Sequence, residues 1–165
     1  MITIISGTNR KDNITRQVAN EYQRLLKGKM FESNVLYLDE TDITVRNDAF
    51  TEMEKAILIP AEKFIIISPE YNGSYPGILK LMIDNSDVAR CWWFKKVLLT
   101  GVSTGRAGNL RGMEHLTGAL LHMKMMVHYN RLPISIVHTL MDDEKFTNVA
   151  AISSINNQLE EFLNF

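Results

Sequence analysis

The 165-residue chain is short of several things, and each shortage excludes something. Cys91 is its one cysteine, so an intrachain disulfide and a cysteine-based zinc site are both ruled out. No apolar run approaches the roughly 18 residues that a membrane-spanning helix needs. The first residues show no charged segment ahead of an apolar one, so no export signal is expected. The expected location is the reducing cytoplasm. Neither sign of charge is in excess: 18 basic residues face 19 acidic ones, for a formal net charge of -1. Nucleic-acid binders normally show a basic face or stripe, so neither nucleic acid nor membrane is an expected partner. No repeat, low-complexity segment or linker interrupts the chain. Residues 1–165 are expected to form a single domain, with 45% apolar residues to fill its core.

What is present is an alternation of short apolar runs with longer amphipathic stretches. Strands are expected at 2–6, 34–38, 64–68, 97–101 and 133–138. Helices are expected at 15–27, 50–63, 76–86, 113–126 and along the stripe Val149, Ile152, Ile155, Leu159, Phe162 and Leu163. Pro60 must end or kink the second helix. The third and fourth strands are apolar without alternation, which predicts burial on both faces. The order βαβαβαβαβα implies a parallel sheet with helices on both sides. Five strands make the flavodoxin-like order 2-1-3-4-5 the leading expectation. Ligands then bind beyond the carboxyl ends of the strands, at the switch point between strands one and three.

Three loops lie at that edge. Residues 7–15 lead into the first helix, whose unpaired N–H groups suit a phosphate. Thr8, Asn13 and Thr15 add side-chain donors there, and Arg10 adds a full charge. An ordinary turn capped by Asn13 is the plainer reading. Residues 69–77 carry Glu70, Tyr71, Asn72, Gly73 and Tyr75 between two prolines. Gly73 lets backbone approach a flat ligand, and the ring of Tyr71 or Tyr75 could flank one. A proline-bounded turn covering the core is the alternative. Residues 103–110 hold two glycines with small hydroxyls. Arg106 there could meet an anionic substrate or a nicotinamide cofactor phosphate, or simply be solvated. No G-x-x-x-x-G-K-[ST] and no G-x-G-x-x-G follows the first strand, which disfavours P-loop and ordinary Rossmann sites. No acidic pair follows it either, which disfavours a response-regulator receiver.

Other residues receive structural readings. His115, His122, His128 and His138 lack the context of a metal site, and no metal is expected. Cys91 reads as inert packing, and Met113, Met123, Met125 and Met126 as core or interface filling. Trp92 and Trp93 read as a dimer anchor or a cover for the sheet.

Together the three loops resemble the NADPH-dependent FMN reductase family, which also contains azo-, quinone- and chromate-reducing enzymes. Gly7-Thr8-x-Arg10 is similar to that family's Gly-Ser-x-Arg phosphate loop. Pro69-Glu70-Tyr71-Asn72, followed by Pro76-Gly77-x-Leu79-Lys80 and Ile83-Asp84, resembles its most recognisable motif. Ser103-Thr104-Gly105 resembles its third flavin-facing loop. The resemblance implies that Thr8, Arg10, Asn13 and Thr15, with Ile14 between them, hold the phosphate of FMN. It implies that Pro69, Glu70, Tyr71, Asn72 and Gly73 line the isoalloxazine, largely through backbone, and that Ser103, Thr104, Gly105 and Arg106 meet its other side. There are departures: Asn13 replaces the usual serine, Thr15 a common asparagine, and Asn85 a frequent tryptophan. The implied activity is ping-pong hydride transfer from NADPH or NADH through flavin N5 to a small-molecule acceptor of quinone, flavin, azo or metal-ion type. The implied assembly is a homodimer or homotetramer. A flavodoxin-like electron carrier and a non-catalytic flavin-binding module are the alternatives. The near-neutral charge weakens the carrier, which often steers by a strongly charged face.

Overall fold

The computed structural model describes residues 1–165. Its central sheet contains β1 (Ile2–Ser6), β2 (Ser33–Tyr37), β3 (Lys63–Pro69), β4 (Lys96–Val102), β5 (Met126–Val127) and β6 (Leu132–Ile134). All pairings within it are parallel, in the order β2-β1-β3-β4, with β5 and β6 both paired to β4. This is the flavodoxin-like order expected from the alternation. The non-alternating runs have their predicted cause. In β3, Phe64 and Ile66 enter one core and Ile65 and Ile67 the other, and β4 divides Val97 and Leu99 from Leu98 in the same way.

Helix α1 (Ile14–Gly28) places Val18, Ala19, Tyr22 and Leu26 on one face of the sheet, beside α6 (Val149–Asn164) with Ile155, Leu159 and Phe162. The opposite face is covered by α2 (Asp48–Met53), α3 (Gly77–Asn85), the short α4 (Val88–Cys91) and α5 (Leu110–His122). Where α1 and α6 meet the sheet, Tyr22 Oη donates to Gln158 Oε1 at 2.7 Å, and Gln158 Nε2 donates to the Leu99 carbonyl at 3.1 Å.

Three sequence expectations are corrected. The second helix begins at Asp48, where Asn47 caps it by accepting from Phe50 N–H, and gives way to one π-helical turn (Glu54–Leu58) before Pro60. The helix expected at 113–126 is α5, displaced toward the N-terminus. Lys124 takes a left-handed conformation (φ 60°), with Lys124 N–H bonded to Leu121 O and Met125 N–H to Leu120 O. That is a Schellman ending, and it turns Met126 into β5. The strand expected at 133–138 is split: β5 and β6 share the place beside β4, and His138 lies in a 3-10 turn (Val137–Thr139) that follows left-handed Ile136. A hairpin of β7 (Met141–Asp142) and β8 (Lys145–Phe146) was not foreseen. The two tryptophans have separate fates. Trp92 is fully buried on Phe64, ring centroids 5.0 Å apart, and its Nε1 donates to Ser86 Oγ, so it covers the sheet and cannot anchor a partner. Trp93 is exposed beneath the Lys124 amine.

Candidate functional site

The carboxyl ends of β1, β3 and β4 surround a cavity of about 610 Å³, at the switch point of the sheet. That size falls within the usual range for small-molecule sites.

The loop after β1 forms one wall. Gly7 N–H donates to Ile67 O at 2.9 Å, which ties the loop to β3. A Cβ on Gly7 would lie 2.9 Å from that carbonyl, so the approach needs glycine. Thr8 is buried beneath the wall, with its hydroxyl bonded to Tyr71 Oη. Arg10 N–H reaches the same Thr8 oxygen at 3.3 Å, and the Arg10 guanidinium lies 3.8 Å from the centroid of the Tyr71 ring. Asn13 is the N-cap of α1: its Oδ1 accepts from Arg16 N–H at 2.7 Å and its Nδ2 donates to Arg10 O. Its side chain is therefore committed to the cap. Ile14 and Thr15 line the cavity, and as first-turn residues their N–H groups have no intrahelical acceptor.

The loop after β3 is a tight hairpin. Tyr71 and Ser74 exchange backbone hydrogen bonds at 2.9 and 3.1 Å, around Asn72 (φ 52°) and Gly73 (φ 77°). Two left-handed residues in a two-residue turn explain the Asn-Gly pair. Glu70 N–H is held by Val102 O at 3.2 Å. Tyr71 lines the cavity, whereas Tyr75 packs half-buried against the core.

The loop after β4 is shaped by Ser103. Its Oγ donates to Gly105 O at 2.8 Å and accepts from Gly108 N–H at 2.9 Å. Gly105 has open space where a Cβ would stand. Thr104 and Arg106 are exposed in the same wall.

Thirteen of the fourteen residues singled out from the sequence (Arg10, Asn13, Ile14, Thr15, Pro69, Glu70, Tyr71, Asn72, Gly73, Ser103, Thr104, Gly105 and Arg106) line this one cavity. Thr8 alone does not reach its surface and acts from beneath through Tyr71. Sequence reasoning missed Lys11, Asp12, Val102 and Ala107 in the lining. The first two were within reach, since they stand in a loop already chosen. It also missed Asn109. That residue is fully buried and left-handed (φ 63°), and its Nδ2 donates to Ser68 O at 2.9 Å and to Pro69 O at 3.0 Å. It clamps the end of β3 to the loop after β4. Beside it, a Cβ on Gly101 would lie 2.1 Å from Gly108 O. Gly101 and Asn109 together let two walls of the cavity close against each other.

The site's charges are mixed: Arg10, Lys11 and Arg106 face Asp12 and Glu70. Backbone donors add to the positive side. The N–H groups of Asn72, Gly73, Thr104, Gly105 and Arg106 have no acceptor within the chain. By contrast Cys91 lies away from the site, buried beside Glu54; burial first, and then the carboxylate, push its thiol up to about 12. It is not a nucleophile at neutral pH.

Residues 1–138 match the family described as NADPH-dependent FMN reductase. The 2-hydroxy-1,4-benzoquinone reductase of a Burkholderia species is 25% identical in an alignment 138 residues long that covers 76% of this chain and 73% of that one. Among solved structures, the flavoenzyme NAD(P)H:(acceptor) oxidoreductase FerB of Paracoccus denitrificans superposes with a TM-score of 0.80 at 21% identity, covering 99% of this chain and 94% of that one. An NADH:FMN oxidoreductase in its apo form gives 0.75 at 18%, covering 98% and 87%. A flavodoxin from the Archaea gives 0.61 at 14%, covering 99% of each. At these identities the structural likenesses establish the fold. The family match spans all three loops of the cavity, so the chain belongs to the NADPH-dependent FMN reductase family and is an NAD(P)H-dependent oxidoreductase that uses FMN.

Proposed function

We propose that the cavity at the carboxyl edge is the FMN site, and that the enzyme passes electrons from a nicotinamide nucleotide to a small acceptor of the quinone class. One observation carries the reading: residues with unpaired backbone donors, on three separate loops, line one hollow. A planar heteroaromatic ring edged with oxygen and nitrogen acceptors, carrying a phosphate on a flexible arm, fits such a donor set. An ordinary apolar pocket would not supply it.

The roles follow from position. Arg10 and the first-turn N–H groups of Ile14 and Thr15 would hold the phosphate, since a helix N-terminus and a guanidinium both favour an anion, while Lys11 donates to the Asp39 carbonyl beside them. Thr8 and Asn13 shape that loop from behind, one through Tyr71 and one as the helix cap. Pro69, Glu70, Tyr71, Asn72 and Gly73 would line one edge of the ring, and Ser103, Thr104, Gly105 and Arg106 the other. When bound, FMN supplies the hydride and electron chemistry, and the protein supplies orientation and electrostatics. Donor and acceptor would use the same open cavity in turn. No side chain in the wall is needed as a dedicated acid or base. The quinone class is favoured by the quinone reductase among the relatives. The reading extends to a cytoplasmic homodimer or homotetramer, in which exposed Trp93 and Phe94 supply apolar contact.

The test is an absorbance spectrum of the FMN-loaded protein, taken anaerobically before and after NADPH or NADH and again after a benzoquinone. Bleaching by the nucleotide and recovery with the quinone are expected. A spectrum that neither nucleotide bleaches contradicts the proposal. Bleaching without recovery rejects the quinone acceptor.

A further inference from the structure

Two arginines near the start of α1 lie over tyrosine rings, and their surroundings differ. Arg16 lies over Tyr37, 4.1 Å from the ring centroid, and its guanidinium also pairs with Asp39 and Glu40 at 3.0 and 2.7 Å. Arg10 lies closer over Tyr71, at 3.8 Å, and its exposed guanidinium pairs with no carboxylate and donates to no acceptor of the chain. The first arginine is closed onto the protein. The second is left open in the cavity wall. An open guanidinium keeps its planar fork of donors for an incoming anion.

The ring beneath Arg10 is fixed at both ends. At its backbone, Tyr71 exchanges hydrogen bonds with Ser74 across the left-handed pair Asn72 and Gly73. At its tip, Oη is hydrogen-bonded to Oγ1 of Thr8, which is fully buried. The same Thr8 oxygen accepts from Arg10 N–H at 3.3 Å, and Thr8 N–H donates to Ser6 O at 3.0 Å. One buried hydroxyl therefore holds both the ring and the backbone of the arginine that the ring carries. The backbone of Tyr71 belongs to the hairpin after β3, but its side chain is spent on the loop after β1.

We infer that Tyr71 is a positioning residue: with Thr8 tethering its ring, it holds Arg10 ready for a phosphate and so selects the phosphorylated flavin over riboflavin. The inference rests on reading the cavity as the FMN site. An exposed arginine has much rotamer freedom to lose when it binds an anion. A ring that already carries the guanidinium reduces that loss and leaves the donors of the fork unspent. Riboflavin has no phosphate and gains nothing from the arrangement. The hairpin whose backbone lines the isoalloxazine in that reading thus serves the other end of the flavin through one side chain.

The experiment measures the Kd for FMN and for riboflavin by quenching of flavin fluorescence. The proteins are wild type, Tyr71→Leu, Tyr71→Phe, Thr8→Val, Thr8→Ser, Arg10→Ala and the double variant Arg10→Ala/Tyr71→Leu. Urea unfolding first establishes that each one folds. The wild type is expected to bind FMN roughly tenfold or more tighter than riboflavin. Tyr71→Leu, which removes the platform, should weaken FMN roughly threefold to fivefold and leave riboflavin unchanged. Tyr71→Phe and Thr8→Val break only the tether and should weaken FMN roughly twofold to threefold. Thr8→Ser, which keeps the hydroxyl, should restore the wild-type ratio. With Arg10 already replaced, Tyr71→Leu should cost no further FMN affinity. Equal losses for FMN and riboflavin, or a full further loss in the absence of Arg10, would overturn the inference, because the ring would then act on the isoalloxazine or on the fold. So would a wild type that binds the two flavins equally. Should Tyr71→Leu fail to fold, Tyr71→Phe and Thr8→Val decide the matter by the same ratio. Wild-type protein that binds neither flavin would instead overturn the reading of the cavity itself.

Discussion

At the amino edge of the sheet, basic side chains are spent on the protein itself. Lys63 Nζ donates to the carbonyls of Phe162 and Leu163 at the end of α6, at 3.0 and 2.8 Å. Lys95 Nζ does the same for Leu58 and Ile59, at 2.9 and 2.8 Å, and Lys96 reaches the Phe165 carbonyl. Each amine meets the negative end of a helix and satisfies carbonyls that have no partner in the last turn. At the carboxyl edge the arrangement is reversed. Arg10, Arg106 and Arg111 find no carboxylate, and backbone N–H groups on three loops find no acceptor. A cation closed onto carbonyls stabilises the fold, whereas cations and donors left open around a hollow are free for a ligand. Burial and charge alone do not separate the two edges; the completeness of their hydrogen bonding does.

Substitutions at the two edges should therefore split into effects on stability and effects on binding. The largest effect is expected from Gly101→Ala. Its Cβ would overlap Gly108 O and force the loop after β4 off Asn109, costing about 3 kcal/mol or more in urea unfolding and abolishing FMN binding. Gly28→Ala, at the amino end where a Cβ meets nothing, should be neutral or stabilising by about 0.5 kcal/mol. Arg10→Ala comes next. FMN affinity, read by quenching of flavin fluorescence, should fall roughly tenfold to hundredfold while unfolding of the apoprotein shifts by less than about 0.5 kcal/mol. Lys63→Met should do the converse, lowering stability by about 1 kcal/mol with the Kd for FMN unchanged. Equal effects of these last two on binding would erase the distinction between the edges.

The smallest effect concerns pH. His128 is buried among Tyr129, Phe162 and Phe165, and burial lowers its pKa below the usual histidine value, with nearby Lys63 acting in the same sense. Glu161 opposes that shift without cancelling it. The unfolded chain then takes up the proton more readily than the folded one. Stability from this group is complete above about pH 6.5 and declines as pH falls below it, until the folded imidazole also charges. His128→Gln should reduce that decline in urea melts compared at about pH 7.5 and pH 5.5. An unchanged slope would show that other groups cause it.

The parts legible in the sequence are those in which local chemistry and tertiary role coincide. The unbroken apolar runs of β3 and β4 could only be buried on both faces. Asn72-Gly73 needed left-handed backbone whatever lay around it. Other features depended on distant partners. Met125 and Met126 continue the periodicity of α5, and only the left-handed Lys124 ends the helix before them. The fifth strand was obscured because residues 128–131 leave the ladder, with His128 turned into a cluster of aromatic rings. Asn109 reads as an ordinary turn residue beside Gly108. Its function lies in carbonyls of Ser68 and Pro69, some 40 residues earlier. Arg111 falls between the third loop and the helix expected at 113–126, and only its position over Gly73 distinguishes it.

The central claim, that the open donors of the carboxyl edge hold FMN, is tested most directly by amide hydrogen exchange with and without FMN. Slowed exchange is predicted at residues 14–15, 70–73 and 103–106, whose N–H groups would gain acceptors or lose access to water. Exchange at residues 59–63 and 94–96 on the amino edge should not change. Protection at the amino edge, or none in the three loops at saturating FMN, would contradict the account.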